Sequence, residues 1–304
     1  MQLLEVNRDN ARILLDYWNQ IGENIPYFFR TTYECFERSL FDDTYEGMTI
    51  FRTNKVYLAQ EEGQVKGFIQ FGIPTFHFTE AGKITEGINI GVIRNLYFEE
   101  TRNDIGRSLL DLSLSFFKEN HLEDIHAFYH AMGMSCNAHH GKLHEKFDYV
   151  GKFLCEEGFE IEHENIYYIC DMKEKKSECP NNSYIEASEI EDNRQRIMLF
   201  DQNDKALGSA EMKYIDKLTG TGENDAVYLA WIGIDEKARG KGLGTEFLNH
   251  IFHHCLKKGY RYLHTDTALN NKTAQKFYMR NGFTNKGITR SYVLKRNRLS
   301  AKIS

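Results

Sequence analysis

Proline is scarce in this chain, three among 304 residues, and no apolar run reaches the roughly 18 residues of a membrane span. The start, MQLLEVNRDN, lacks the basic-then-apolar order of a signal peptide. The six cysteines, Cys35, Cys136, Cys155, Cys170, Cys179 and Cys255, form no C-x-x-C pair. In a chain of this length they read as reduced thiols of a cytoplasmic protein, not as a disulfide framework. There is also no basic arm or block. Lys and Arg number 38 against 44 Asp and Glu, a net charge of −6 with the signs mixed, so nothing points to a nucleic-acid partner. What is present is 41% hydrophobic and 27% charged, a soluble globular composition long enough for about two domains.

Periodicity divides the chain into two similar halves. Ala11, Leu14, Leu15 and Trp18 stand at helical spacing and predict a helix over 8–19, with a second over 30–40. Strands at 56–60 and 65–72 flank the turn Glu61-Glu62-Gly63-Gln64 as a hairpin. A strand at 91–98, a helix at 105–118, a strand at 125–129, a loop at 131–141 and a helix at 144–157 follow. That helix ends at Gly158-Phe159, and a strand at 166–171 closes the half. The polar stretch from Lys173 to Ser183 contains Pro180 and reads as a linker. The order then recurs: strands at 184–187, 196–200, 207–215 and 227–234, a helix at 245–258, a strand at 260–267, a helix at 272–280, Gly282-Phe283, and a closing strand at 288–294. We read an internal duplication, with domains at 1–173 and 184–304 joined by a linker at 174–183.

The most informative stretch is Arg239-Gly240-Lys241-Gly242-Leu243-Gly244, which lies between a strand and a helix. A glycine-rich turn there points backbone N–H groups inward, beside helix amides that have no partner of their own, and so suits a phosphate. Thirty residues on, Asn271-x-x-Ala274 leads into Phe277-Tyr278 and Gly282-Phe283. The two signatures in this order resemble those of the GNAT acetyltransferases. The resemblance is clearest from Arg196 to Leu294. It implies an α/β (α+β) fold: two tandem GNAT acyl-CoA N-acyltransferase folds, each a mixed, mostly antiparallel twisted sheet flanked by helices. It also implies acetyl-CoA as co-substrate, no metal, and direct transfer to a small-molecule or peptide amine in a ternary complex. The pyrophosphate would lie on the amides of Arg239 to Thr245, and the pantetheine arm on the strand edge at Ile232, Gly233 and Ile234. Asn271 would hold the arm from the far side, and Tyr278 would protonate the departing thiolate as general acid.

The residue that takes the acceptor's proton is not legible. Glu211, Asp225, Tyr228, His264 and Asp266 are all candidates, and His264 and Asp266 face the same side of one strand. In the first half the signatures are worn. Leu154 stands where Tyr278 does, Val150 where Ala274 does and Phe147 where Asn271 does. The turn from Arg102 to Gly106 is one residue short, and Asp104 brings a negative charge to it. This half reads as a degenerate GNAT domain with weak or no binding of coenzyme A. Its histidines, His121, His126, His130, His139, His140 and His144, lie near Cys136 without regular ligand spacing. They read as loop and surface residues more than as ligands. Two other readings stand beside acetyl transfer: a non-catalytic CoA-binding sensor, and an aminoacyl transferase of the tandem GNAT-like type. Neither the acceptor nor the oligomeric state can be read.

Overall fold

Hydrophobic alternation and helical spacing decide nearly every element of the computed structural model, which describes residues 1–78, 83–86, 89–130, 132–175, 182–191, 193–222 and 225–295. Most of the expected linker, residues 176–181 with Cys179 and Pro180, lies outside the described residues. Two compact units form. The first is 1–164 with the chain's final segment from Thr289, and the second is Asn165–Ile288.

The first unit begins with β1 (Gln2–Glu5), α1 (Arg12–Gly22) and α2 (Tyr33–Phe41). Thr32 caps α2 by accepting from the Cys35 amide. The hairpin of β2 (Phe51–Glu61) and β3 (Gln64–Pro74) turns at Glu62 and Gly63, both left-handed as its two-residue turn requires. Then come β4 (Ile90–Phe98), α3 (Asn103–Glu119), β5 (Asp124–Ala127) and α4 (Asp148–Glu156). The sheet runs β1-β2-β3-β4-β5, antiparallel except for the parallel β4/β5 pair. Helix α3 lays Ile105, Leu109, Leu110, Leu114 and Phe117 on it, the apolar face of an amphipathic helix. The helix expected from His144 starts only at Asp148. His144 instead accepts from the Lys146 amide in a short 3-10 turn, so His140 and His144 do not share a helix face.

A long strand, β6 (Glu160–Asp171), leads into the second unit. There follow β7 (Ser183–Glu191), β8 (Arg194–Asp201), β9 (Ala206–Tyr214), the short α5 (Ile215–Thr219) and β10 (Ala226–Ile234). The unit continues with α6 (Leu243–Lys257), β11 (Tyr262–Ala268) and α7 (Lys272–Arg280), and β12 (Thr284–Leu294) leaves it. The sheet order is β11-β10-β9-β8-β7, with β10/β11 parallel and the others antiparallel. Helix α6 buries Phe247, Leu248, Ile251, Phe252 and Cys255 against Leu199, Met212, Leu229 and Leu263.

The closing strands depart from the sequence reading. Residues 165–171 pair with β11 of the second unit, in a register that sets Tyr167 against Asp266. Residues 292–294 pair with β5 of the first, Tyr292 against Ala127, and Thr289 and Arg290 pair with His144 and Leu143. The chain therefore passes from unit to unit inside strands, at Glu164/Asn165 and Ile288/Thr289. The physical reason is that each segment is a short apolar run, Ile166 to Cys170 and Tyr292 to Leu294, largely buried along its length. A run of this kind marks a buried strand but not which neighbouring strand it meets.

Candidate functional site

The site lies in the second unit, where β10 and β11 part. They pair in parallel only at Ala226, Val227 and Tyr228. One turn further on, Ala230 is the extra residue of a β-bulge against β9, between the pairs Glu211/Trp231 and Met212/Leu229. The Thr265 hydroxyl donates to the Leu229 carbonyl at 2.9 Å and closes the fork of the gap. Beyond it, the edge of β10 turned away from β9 has no strand partner among the described residues, so its backbone groups stand ready for another chain of amides.

The glycine turn closes one end of this gap. Asp235 accepts from the Lys237 amide, starting a 3-10 turn, and Arg239 folds back to donate to the Ile234 carbonyl at 3.0 Å. Gly240 and Gly242 take φ of +80° and +79°, in the left-handed region that side chains rarely enter. No atom lies within 4 Å of where a Cβ would stand on either, so the space over the turn is open. Helix α6 begins at Leu243 with Gly242 as its cap, and its first amides point out of the helix end. At Gly244 a Cβ would come 3.2 Å from the Phe277 ring, a close helix–helix approach.

Ile232, Gly233, Ile234, Arg239, Gly240, Gly242, Leu243, Gly244, Asn271 and Tyr278 gather around one cavity of about 500 Å³, with Ala238, Thr273, Ala274 and Phe277. Lys241 and Thr245 do not line it. Thr245 borders a neighbouring depression of about 280 Å³ with Thr273, Lys276 and Arg280. The Asn271 side chain caps α7 by accepting from the Ala274 amide at 3.1 Å, which leaves its Nδ2 for another acceptor. Tyr278 is buried among the rings of Tyr168, Phe277 and Phe283. Burial raises its pKa; a hydrogen bond with Thr265 partly offsets this, and the charge of Asp266 adds to it.

The structure separates the five proton-acceptor candidates. Asp225 lies at the far end of β10, exposed, where its carbonyl accepts from the Arg261 and Tyr262 amides. Glu211 is held by Arg194 at 2.7 Å. His264 is buried, bonded through Nδ1 to the Tyr167 hydroxyl at 3.0 Å. Tyr228, also buried, donates its hydroxyl to Asp266, which accepts from Asn165 as well. Asp266 alone combines half-burial beside the parting strands with a charge felt by Tyr278.

The first unit contains the worn copy of each part. Its β4 and β5 also part after Ile93, and Arg94 is the extra residue of a bulge between the pairs Gln70/Asn95 and Phe71/Ile93. Here the gap is filled. The buried Arg94 guanidinium donates to the carbonyls of Met132, Gly133 and Ser39 and to the carboxylate of Asp43. That pairing, with His139, holds the Asp43 carboxyl down to about 2 against the opposing effect of burial. At the turn, Arg102 grips Glu61 through two bonds of 2.8 Å and Asp104 at 2.8 and 2.9 Å, so the helix start already holds carboxylates. No residue from 100 to 106 is left-handed, and Gly106 serves packing, since a Cβ there would strike the Phe98 ring. Sequence reading missed Arg94. The signal was there, one arginine inside a largely apolar strand. Among the described residues no group of three or more His, Cys, Asp or Glu is placed to hold a metal. His126, for instance, pairs with Glu162 at 3.1 Å.

Three histidines of the second unit predict a pH response. Burial lowers His264 to about 3 and His254 to about 4, and it lowers His250 as well. Unfolded, each returns to the ordinary value of roughly 6.5. Between these values the unfolded chain binds more protons, so stability rises with pH. It is complete above about 6.5 and is lost as pH falls toward 3–4. We expect the melting temperature to fall from pH 6.5 to about 5.5, above the range in which ordinary carboxylates titrate, and to fall less steeply in His264→Gln. An equal slope in both proteins would refute the assignment.

Residues 160–283 match the model of the acetyltransferase (GNAT) family. No protein of curated function matches the sequence. Among solved structures, a tandem GNAT protein from the clavulanic acid biosynthesis pathway superposes with a TM-score of 0.67 at 12% identity, over 97% of this chain and 98% of that one. A GCN5-related N-acetyltransferase from Sphaerobacter thermophilus gives 0.65 at 9% identity, over 97% and 95%. A glucosamine N-acetyltransferase region of a fungal multi-domain β-N-acetylglucosaminidase gives 0.65 at 13%, over 96% of this chain and 38% of that one. No helix among the described residues is long and apolar enough to cross a membrane.

Proposed function

We propose that this chain, a tandem member of the acetyltransferase (GNAT) family, transfers the acetyl group of acetyl-CoA to an amine through its second unit. The observation that carries the proposal is a free strand edge joined to a left-handed glycine turn and closed by one buried phenol, all around a single cavity. The residues suit coenzyme A, because the turn is open where a phosphate would need room and a side chain on either left-handed glycine would be strained. Gly240 to Gly244 would hold the pyrophosphate, with Lys241 and Thr245 at the rim. Ile232, Gly233 and Ile234 would pair with the pantetheine amides, and Asn271 would use its remaining Nδ2. Lys276 and Arg280 add positive charge beside the turn.

Acetyl-CoA supplies an acyl carbon activated as a thioester. Asp266, steadied by Tyr228 and Asn165, takes the proton that the acceptor nitrogen loses as its C–N bond forms. Tyr278 holds the proton that the departing sulfur receives as the C–S bond breaks. The first unit, with Arg94 and Arg102 occupying its own gap and turn, takes no part in binding coenzyme A. The scattered thiols and mild charge fit a cytoplasmic enzyme.

Calorimetric titration with acetyl-CoA, followed by a thiol-release assay on a panel of amines, tests this reading. We expect one binding site per chain and amine-dependent thiol release. Binding without turnover on any amine would favour a CoA sensor. No binding would favour an aminoacyl transferase.

A further inference from the structure

The second unit's sheet is covered by α6 and α7 on the face that bears Leu199, Met212 and Leu229. On its other face three side chains form a row in register. Arg196 of β8 lies opposite Glu211 of β9, and Glu211 lies opposite Trp231 of β10. Trp231 is 56% exposed, an unusual state for an indole, and Arg196 is exposed as well. The charge of Glu211 is already matched by Arg194 at 2.7 Å. The Arg196 guanidinium has no hydrogen-bond or ion-pair partner among the described residues. The row therefore presents a bare indole followed by an unmatched cation.

Its direction matters. Trp231 is the first residue past the bulge at Ala230, where β10 leaves β11, so the row ends at the gap in which acyl transfer is proposed. Adjacent strands lie about 4.8 Å apart, so two spacings, about 10 Å, separate the backbones of Arg196 and Trp231. We propose that the acceptor is an extended amine with a carboxylate at its far end. Its nitrogen enters the gap, its body lies on the Trp231 indole and its carboxylate pairs with Arg196. This rests on the acyl-transfer reading and narrows its substrate class. A guanidinium offers a carboxylate two parallel donors, and an indole face suits an aliphatic or aromatic body. An α-amino acid acylated at its α-nitrogen is too short, because its amine and carboxylate share one carbon. An ω-amino acid, or a lysine side chain next to a free carboxylate, has the required reach.

The test compares 6-aminohexanoate, hexylamine and glycine as acceptors at saturating acetyl-CoA, in wild type, Arg196→Gln and Trp231→Ala. We expect kcat/KM for 6-aminohexanoate to exceed that of the other two by about tenfold or more, as a charge-assisted bond predicts. Arg196→Gln raises KM for 6-aminohexanoate about tenfold relative to hexylamine, without changing kcat or the acetyl-CoA Kd. Trp231→Ala raises KM for both six-carbon amines. Equal use of 6-aminohexanoate and hexylamine, with Arg196→Gln silent, overturns this inference alone. Bound acetyl-CoA with no product from any amine overturns the acyl-transfer reading, and this inference falls with it.

Discussion

Gly242→Val removes acetyl-CoA binding from the whole chain. In calorimetry we expect affinity to fall at least about 100-fold, beyond the reach of an ordinary titration. Gly242 holds φ of +79°, and a β-branched residue in that conformation costs roughly 1–3 kcal/mol. The same residue caps α6, and its carbonyl accepts from the Thr245 and Glu246 amides at 3.0 and 3.2 Å. Relief of the strain would unwind the first turn of the helix, and with it the array of amides that attracts an anion. The branched side chain would also fill the open space above the turn. The first unit does not rescue binding, since its helix start holds Glu61 and Asp104 on Arg102. Circular dichroism and a melting curve confirm that the variant folds. Arg102→Ala is the companion variant and keeps full affinity. Substantial binding by a folded Gly242→Val protein would refute both the placement of the phosphate and the vacancy of the first unit.

Tyr278→Phe lowers kcat by about 10²–10³ and leaves the acetyl-CoA Kd within a factor of two of wild type. The asymmetry follows from the surroundings of the ring. Phenylalanine keeps the contacts with Tyr168, Phe277 and Phe283, at centroid distances of 5.8, 5.3 and 5.2 Å, so cavity and core persist. Only the hydroxyl and its proton are lost. Burial holds the phenol's pKa above its ordinary value, so it stays protonated across the neutral range and can give its proton to a thiolate. The wild-type rate therefore falls at alkaline pH as the phenol ionises, and that limb disappears in the variant. Unchanged kcat would reduce Tyr278 to a packing aromatic. A parallel loss of Kd would mean that the ring shapes the cavity and does no proton chemistry.

The parts of the site that were legible in the sequence are those built by local chemistry. Left-handed Gly240 and Gly242, the cap at Asn271 and the helix that carries Tyr278 each depend on a few adjacent residues. The cavity is lined by Ile232, Gly233, Ile234, Arg239, Gly240, Gly242, Leu243, Gly244, Asn271 and Tyr278, while Lys241 and Thr245 do not line it. The five proton-acceptor candidates stayed equal in sequence because their merit depends on distant partners. Arg194 takes Glu211, Tyr167 takes His264, and Tyr228 with Asn165 presents Asp266.

The duplicated order of helices and strands, the glycine turn before α6 and the loss of the phenol and amide from the first half, where Leu154 and Phe147 stand, are legible from residues alone. These are matters of residue type and of spacing along a few turns of chain. That residues 165–171 and 289–294 close sheets other than those of their own halves needed long-range contacts, because a short apolar run marks a buried strand and leaves its neighbour open. Such contacts also decide why one gap is open and the other shut. The same bulge that carries small Ala230 in the second unit carries Arg94 in the first. Arg94 is stable there because three carbonyls and Asp43, brought from residues 38 to 55 positions away along the chain, accept four hydrogen bonds from its guanidinium.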